Sequence, residues 1–163
     1  MPNQVTGYNR TQIILHWVIA ALVLFQFLGA DAIEHVNELI VKGQDPAIPV
    51  LARAHVLLGI LTLILAIWRT ILRMTRGIPD LPEGESDALK RVAKTTHFLM
   101  YAALFLMPLS GMGAWFGGQE VAVILHNIIK VVLIVSVLLH VAGAVYQQHV
   151  LKTNIIKRMM KAE

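Results

Sequence analysis

Cysteine is absent from the chain, so no thiolate is available to any metal site the protein builds. Charge is scarce as well: Asp, Glu, Lys and Arg make up only 15% of the 163 residues. There is no Gly-rich phosphate loop and no internal repeat. What is left is apolar. Hydrophobic residues are 56% of the chain and mean hydropathy is positive, the composition of an integral membrane protein.

The apolar residues fall into four runs. Between Arg10 and Asp31 lie twenty uncharged residues, about the length needed to cross roughly 30 Å of hydrocarbon as a helix. A second run occupies residues 50–72, where Arg53 and Arg69 lie near the ends and are expected to snorkel toward headgroups. Third and fourth spans are predicted at 95–117 and 121–151, the latter interrupted only by Lys130. The expectation is all-α: one integral-membrane four-helix bundle over residues 1–163, its first span at 11–30. GADA after that span looks like a signal-peptidase site, but the apolar run is too long and its N-terminal flank too weakly basic, so the helix is expected to be retained.

Eleven of the fourteen Lys and Arg residues lie before the first span, from Arg69 at the inner end of the second to the start of the third, or after the fourth. By the positive-inside rule both termini face the cytoplasm, as expected of a multi-pass protein of the bacterial inner membrane, and the net charge of +4 reflects topology rather than nucleic-acid binding. On the outer side DAIEHVNELIVKGQDPAIP reads as a polar, acidic loop that can include a short helix ended by Gly43 and Pro46, and GGQE reads as a tight turn. On the inner side TRGIPDLPEGESDALK is a loop, with Ser86 or Asp87 as N-cap of the third helix.

Seven histidines stand against this background, several deep in the spans. A buried polar side chain is costly in lipid, so it faces the bundle interior; a single one can simply hydrogen-bond a neighbouring helix. The pattern is more informative. His126 and His140 are fourteen residues apart, nearly four helical turns and about 21 Å of rise, which leaves them on one face at opposite depths. His16 is level with His140, and His55 with His126. Two facing imidazoles in a dry bundle can bind haem iron from both sides, whereas zinc would need further N, S or O ligands that the apolar depth lacks. C-x-x-C-H is absent, so any haem is b-type. Gly59 and Gly143, one turn from ligand positions, fit either room for a porphyrin face or ordinary close helix packing.

The segments YNRTQIILHW, RAHVLLGIL and THFLMYAALFLMPLSG, with H-x13-H, resemble the prokaryotic cytochrome b561 family over nearly the whole chain. The resemblance implies two b haems, ligated by His16 with His140 inside and by His55 with His126 outside, and electron exchange with quinone. The activity best known among similar proteins is oxidation of periplasmic superoxide, with electrons passed to ubiquinone. A positive outer surface would steer that anion. Here Asp31, Glu34, Glu38, Asp45 and Glu120 stand against Lys42 and Arg53, a formal −3, which suits a cationic partner protein at least as well.

Arg53, His97 and Lys130 are candidates to contact haem propionates, Lys130 because it lies one turn from His126. His97 can equally hydrogen-bond another helix. Tyr8, Arg10 and His149 are candidates for a quinone headgroup site at the cytoplasmic end, where an imidazole can relay protons. Trp17, Trp68 and Trp115 read as interfacial anchors, and His35 as solvated. Two classes of function follow: a stand-alone oxidoreductase taking electrons from a small periplasmic donor, or an electron-transfer subunit docking on a dehydrogenase, a hydrogenase or a soluble cytochrome. A non-redox channel or scaffold would lack Soret absorption.

Overall fold

The computed structural model describes residues 7–44, 48–79 and 86–162. Six helices follow in order: α1 (Arg10–Leu28), α2 (Ala30–Val41), α3 (Val50–Arg76), α4 (Asp87–Gly117), α5 (Glu120–His149) and α6 (Ile155–Arg158). Four of them, α1, α3, α4 and α5, are long and apolar enough to cross a membrane. Their outward faces carry large apolar side chains such as Leu24, Leu57, Ile64 and Leu138, each more than half exposed. Lipid is the natural solvent for such a surface, since every backbone polar group within a helix is already paired.

Helix contacts are made through small residues. Ala52, Ala66 and Ala103 are almost completely buried, and Ile19, Ala66 and Leu104 form a core cluster joining α1, α3 and α4. With little hydrophobic drive between helices in lipid, close backbone approach supplies the packing energy. Thr62 and Thr70 return their hydroxyls to the carbonyls four residues back and so add no unpaired polar group.

The helix ends are specified locally. Asn9 and Gln12 form a reciprocal capping box at the start of α1. Gln12 then reaches across to the Gly77 carbonyl just past α3 and accepts from Arg69 through its own carbonyl at 2.7 Å. Ser86 caps α4. Gly118, left-handed at φ +60, ends α4 and leaves only Gln119 before α5 begins, so GGQE is the tight turn expected.

The helices do not coincide with the expected apolar spans: α1 ends at Leu28, short of 30, and α3 runs on to Arg76, past 72. The third helix begins at Asp87, as the expected cap at Ser86 or Asp87 requires, so its polar first two turns precede the apolar span expected from 95. The fourth is Glu120–His149. The outer loop is mostly helix: after a break at Gly29, α2 runs for twelve residues and ends before Gly43, whose φ is +69. Pro46 and Asp45 lie outside the described residues. α2 packs on α3 and α1, burying Val36 to 1% exposure while Asp31, Glu34, His35 and Glu38 stay outside.

Arg69 is half-buried and donates to a carbonyl in the first turn of α1. At the same end of the bundle the chain turns after α5 through Lys152 and Asn154, both with positive φ, and returns to α1, where the Trp17 indole N–H donates to the Met159 carbonyl at 2.8 Å. Trp17 thus anchors the tail as well as facing outward.

Candidate functional site

The helices bring the deep histidines together in two places. At the end that carries the termini, the His16 and His140 rings lie 6.1 Å apart between centres. At the α2 end the separation between His55 and His126 is 6.5 Å. Both pairs are therefore cross-helix, and α5 supplies one member of each. His97 joins the first pair: its ring stands edge-on to His140 at 5.0 Å, and its Nδ1 lies 2.7 Å from the Ala93 carbonyl on its own helix.

Neither pair arises from close helix packing. Among the described elements no Cα of α5 comes within 8 Å of a Cα of α1 or α3, yet the imidazoles of these helices face each other. At the α2 end the gap is a cavity of about 290 Å³ whose lining includes His55, His126, Lys130, Gly59 and Trp115. Glu34 and Asn37 of α2 also border it.

His126 is held by α4. Its Nδ1 lies 3.0 Å from the Met107 carbonyl and 3.2 Å from the Ser110 hydroxyl. Donation of Nδ1–H to a carbonyl leaves Nε2 with its lone pair, the form that ligates a metal. Gly111 makes the approach possible, since a Cβ there would meet the His126 Cε1 at 3.3 Å. The stretch MPLSG therefore builds a seat for a ring on the next helix.

At the terminal end Tyr8, Gln12, Arg69, Arg73 and Tyr101 form a polar cluster. The Arg73 guanidinium sits 5.5 Å above the Tyr101 ring. Burial pushes the pKa of the Tyr8 phenol above its usual value, against the opposing pull of Arg73 and Arg69, so the phenol keeps its proton at neutral pH and can donate a hydrogen bond. Arg10 and His149, the other two candidates for a quinone site, are exposed.

A family model described as Prokaryotic cytochrome b561 matches residues 7–162. The chain belongs to the prokaryotic cytochrome b561 family. Cytochrome b562 of Cereibacter sphaeroides is 34% identical over 158 residues, which cover 97% of this chain and 98% of that protein. Membership makes the chain a multi-pass bacterial membrane cytochrome of electron transfer and implies a b-type haem.

The residues present fit that group. A metal–imidazole bond of about 2 Å on each side, plus about 1.1 Å from each coordinating nitrogen to its ring centre, would separate the ring centres by roughly 6.2 Å. The observed 6.1 and 6.5 Å bracket that value. The 5.0 Å between His97 and His140 is too short for it. His55 supplies a further sign, because its Nδ1 is buried without a hydrogen-bond partner, as expected of a ring whose environment is incomplete.

Of the propionate candidates, Lys130 lines the cavity beside His126, His97 bonds within its own helix and packs on His140, and Arg53 is exposed. A Cβ at Gly59 would meet Gln26 at 3.0 Å, whereas Gly143 faces open space. Sequence reasoning missed Met107, Ser110, Gly111 and Gln26. The first three lie in the motif MPLSG, where Pro108 inside a helix next to Ser and Gly was the available signal.

Proposed function

We propose that the protein is a di-haem b electron carrier that moves electrons between a periplasmic donor and the membrane quinone pool. The observation that carries this reading is the occurrence of two cross-helix histidine pairs at opposite ends of the bundle, each at the ring spacing of a bis-imidazole site. Bound haem would supply one-electron chemistry at each pair. His16 and His140 would hold one group and His55 and His126 the other, while the Met107 carbonyl keeps His126 in the ligating tautomer. Lys130 would offset a propionate charge in the α2-end cavity, and Arg53 and His97 are retained as weaker candidates for the same task.

The excess of Lys and Arg at the terminal end puts both termini in the cytoplasm, which makes the α2 end periplasmic. The quinone, ubiquinone on the family resemblance, is assigned to the terminal end, where the Tyr8 phenol can donate a hydrogen bond to a quinone carbonyl and Arg10 and His149 lie at the surface. Superoxide is the small donor that the resemblance suggests. A second reading, a subunit that receives electrons from a partner dehydrogenase, hydrogenase or soluble cytochrome, is favoured by one feature: α2 exposes Asp31, Glu34 and Glu38 beside the cavity, a surface suited to a cationic partner.

Haem stoichiometry by pyridine haemochrome, with oxidised and dithionite-reduced spectra, tests the main reading. Two haems per chain are expected, and a value near zero or one overturns it. Reoxidation by a soluble quinone should slow in His149→Ala and Arg10→Ala with both haem spectra unchanged; unaltered kinetics would remove these residues from the quinone site.

A further inference from the structure

A metal-bound imidazole coordinates through one nitrogen and donates the N–H of the other to an acceptor, which fixes the tautomer, the ring orientation and the basicity of the ligand. His126 has that acceptor in the Met107 carbonyl at 3.0 Å. His55, its partner across the cavity, does not: its Nδ1 is buried and unpartnered. One other orphan lies in the same cavity wall. Gln26 on α1 donates its Nε2 to the His55 backbone carbonyl at 3.0 Å, but its Oε1 is buried with no donor.

In the tautomer that ligates through Nε2, the Nδ1–H of His55 thus lacks an acceptor while Gln26 Oε1 lacks a donor, on two residues already joined by a hydrogen bond. Each costs about 1–3 kcal/mol while buried and unpaired, so closing the contact relieves both. The local sequence makes room for the amide. Gly59, one turn beyond His55, faces Gln26, and a Cβ there would stand 3.0 Å from its Nε2. On the other side, Gly29 lies 4.0 Å, as measured from its virtual Cβ, from the His55 Nδ1.

We propose that Gln26 is the positioning residue of the α2-end site: its Oε1 accepts the Nδ1–H of His55 when His55 ligates haem iron, and so sets the orientation and electron richness of that ligand. The inference rests on the haem reading above. Gln26 touches neither iron nor substrate and acts only through His55. A stronger acceptor at position 26 makes the imidazole more electron-donating and favours the ferric state, and loss of the acceptor does the reverse.

The test uses the haem-loaded full-length protein in detergent. Gln26→Leu removes the acceptor at similar volume, Gln26→Glu strengthens it, and Gly59→Ala crowds the amide. Redox titration with electron paramagnetic resonance follows the two centres separately, and haem titration gives affinity. Gln26→Leu should raise the midpoint potential of the α2-end centre and weaken its haem affinity about 10–100-fold, while Gln26→Glu lowers the potential. Gly59→Ala should shift it in the direction of Gln26→Leu by less. The terminal-end centre should be unchanged throughout. If Gln26→Leu loses the α2-end haem altogether, the opposite shift in Gln26→Glu still decides. Potential and spectrum unaltered in Gln26→Glu and Gly59→Ala, in protein that retains both haems, would overturn the proposal. Absence of haem from the His55–His126 pair in the unmutated protein would instead overturn the haem reading.

Discussion

The two histidine pairs hang from the same helix and yet are held by different means. At the α2 end His126 is seated on a backbone carbonyl of α4, made accessible by Gly111, and the pair opens onto a cavity of about 290 Å³. At the terminal end His140 is packed edge-on by His97, and Arg69 and Gln12 lock α1 to α3 close by. Rings fixed by hydrogen bonds are oriented but leave space beside them, whereas rings fixed by other rings are crowded. On the proposed reading, the α2 end has the room and the polar exposed helix that an exchange of electrons with a donor needs. The terminal end is the more closed of the two, strapped from outside by the Trp17–Met159 bond.

The most drastic way to break this comparison is to remove one ring at a time. On the proposed reading His126→Ala and His55→Ala each abolish haem binding at the α2 end and leave one haem per chain, while His16→Ala and His140→Ala each leave the other. Pyridine haemochrome assays with redox titration should therefore sort four variants into two classes. Four unrelated spectra would mean that the pairs do not act as units.

Crowding the seat is a gentler test. Gly111→Val places a Cβ at 3.3 Å from the His126 ring and adds two methyl groups beyond it, so the ring must leave the Met107 carbonyl. A loss of about 10–100-fold in haem affinity is expected at the α2 end alone, measured by haem titration of the apoprotein. An equal loss at both ends would show that the effect is on helix packing rather than on the seat.

At the terminal end the corresponding lever is Arg69. Arg69→Leu deletes a charged hydrogen bond to the Gln12 carbonyl, worth about 1–3 kcal/mol, and removes a positive charge that lies within electrostatic reach of His16 and His140. Thermal unfolding in detergent should fall accordingly. The terminal-end midpoint potential should drop, because a nearby cation favours the reduced centre, while the α2-end potential stays where it was.

The sequence carried the spans and the histidine pairs because both depend on simple periodicities: about twenty apolar residues cross a bilayer, and fourteen residues return to one helix face. What it hid was of two kinds. The start of α2 at Ala30 lies beside the first span, where hydropathy has no contrast to detect and no cap marks the boundary, whereas the start of α4 was legible from its Ser86 cap. The contacts that hold the rings use a backbone carbonyl at Met107, the absent side chain of Gly111 and the amide of Gln26. None of these has a spacing rule, because each depends on how two helices cross. The partner of Arg69 was hidden for the same reason: snorkelling is the default for an arginine near a span end, and the carbonyl of Gln12 became visible as an acceptor only once α1 and α3 were aligned.

The smallest effect concerns what approaches the α2 end, where the two candidate donors differ in sign. The exposed face of α2 carries Asp31, Glu34 and Glu38, with Glu38 paired to Lys42 at 3.8 Å. That exposed pair is nearly silent energetically, so Asp31 and Glu34 dominate the local field. Such a field repels a small anion and attracts a basic protein. Screening acts oppositely on the two, because salt shortens the Debye length to about 8 Å at physiological ionic strength. With superoxide as donor, added salt and the double variant Asp31→Asn, Glu34→Gln should each raise the rate of haem reduction modestly. With a cationic redox protein, both should lower it. Arg53, exposed two residues before His55, is the one element that can reverse the first expectation. A superoxide rate that falls steeply with salt and with Arg53→Glu would show that a local basic entrance outweighs the acidic helix, and would favour the stand-alone oxidoreductase over the docking subunit.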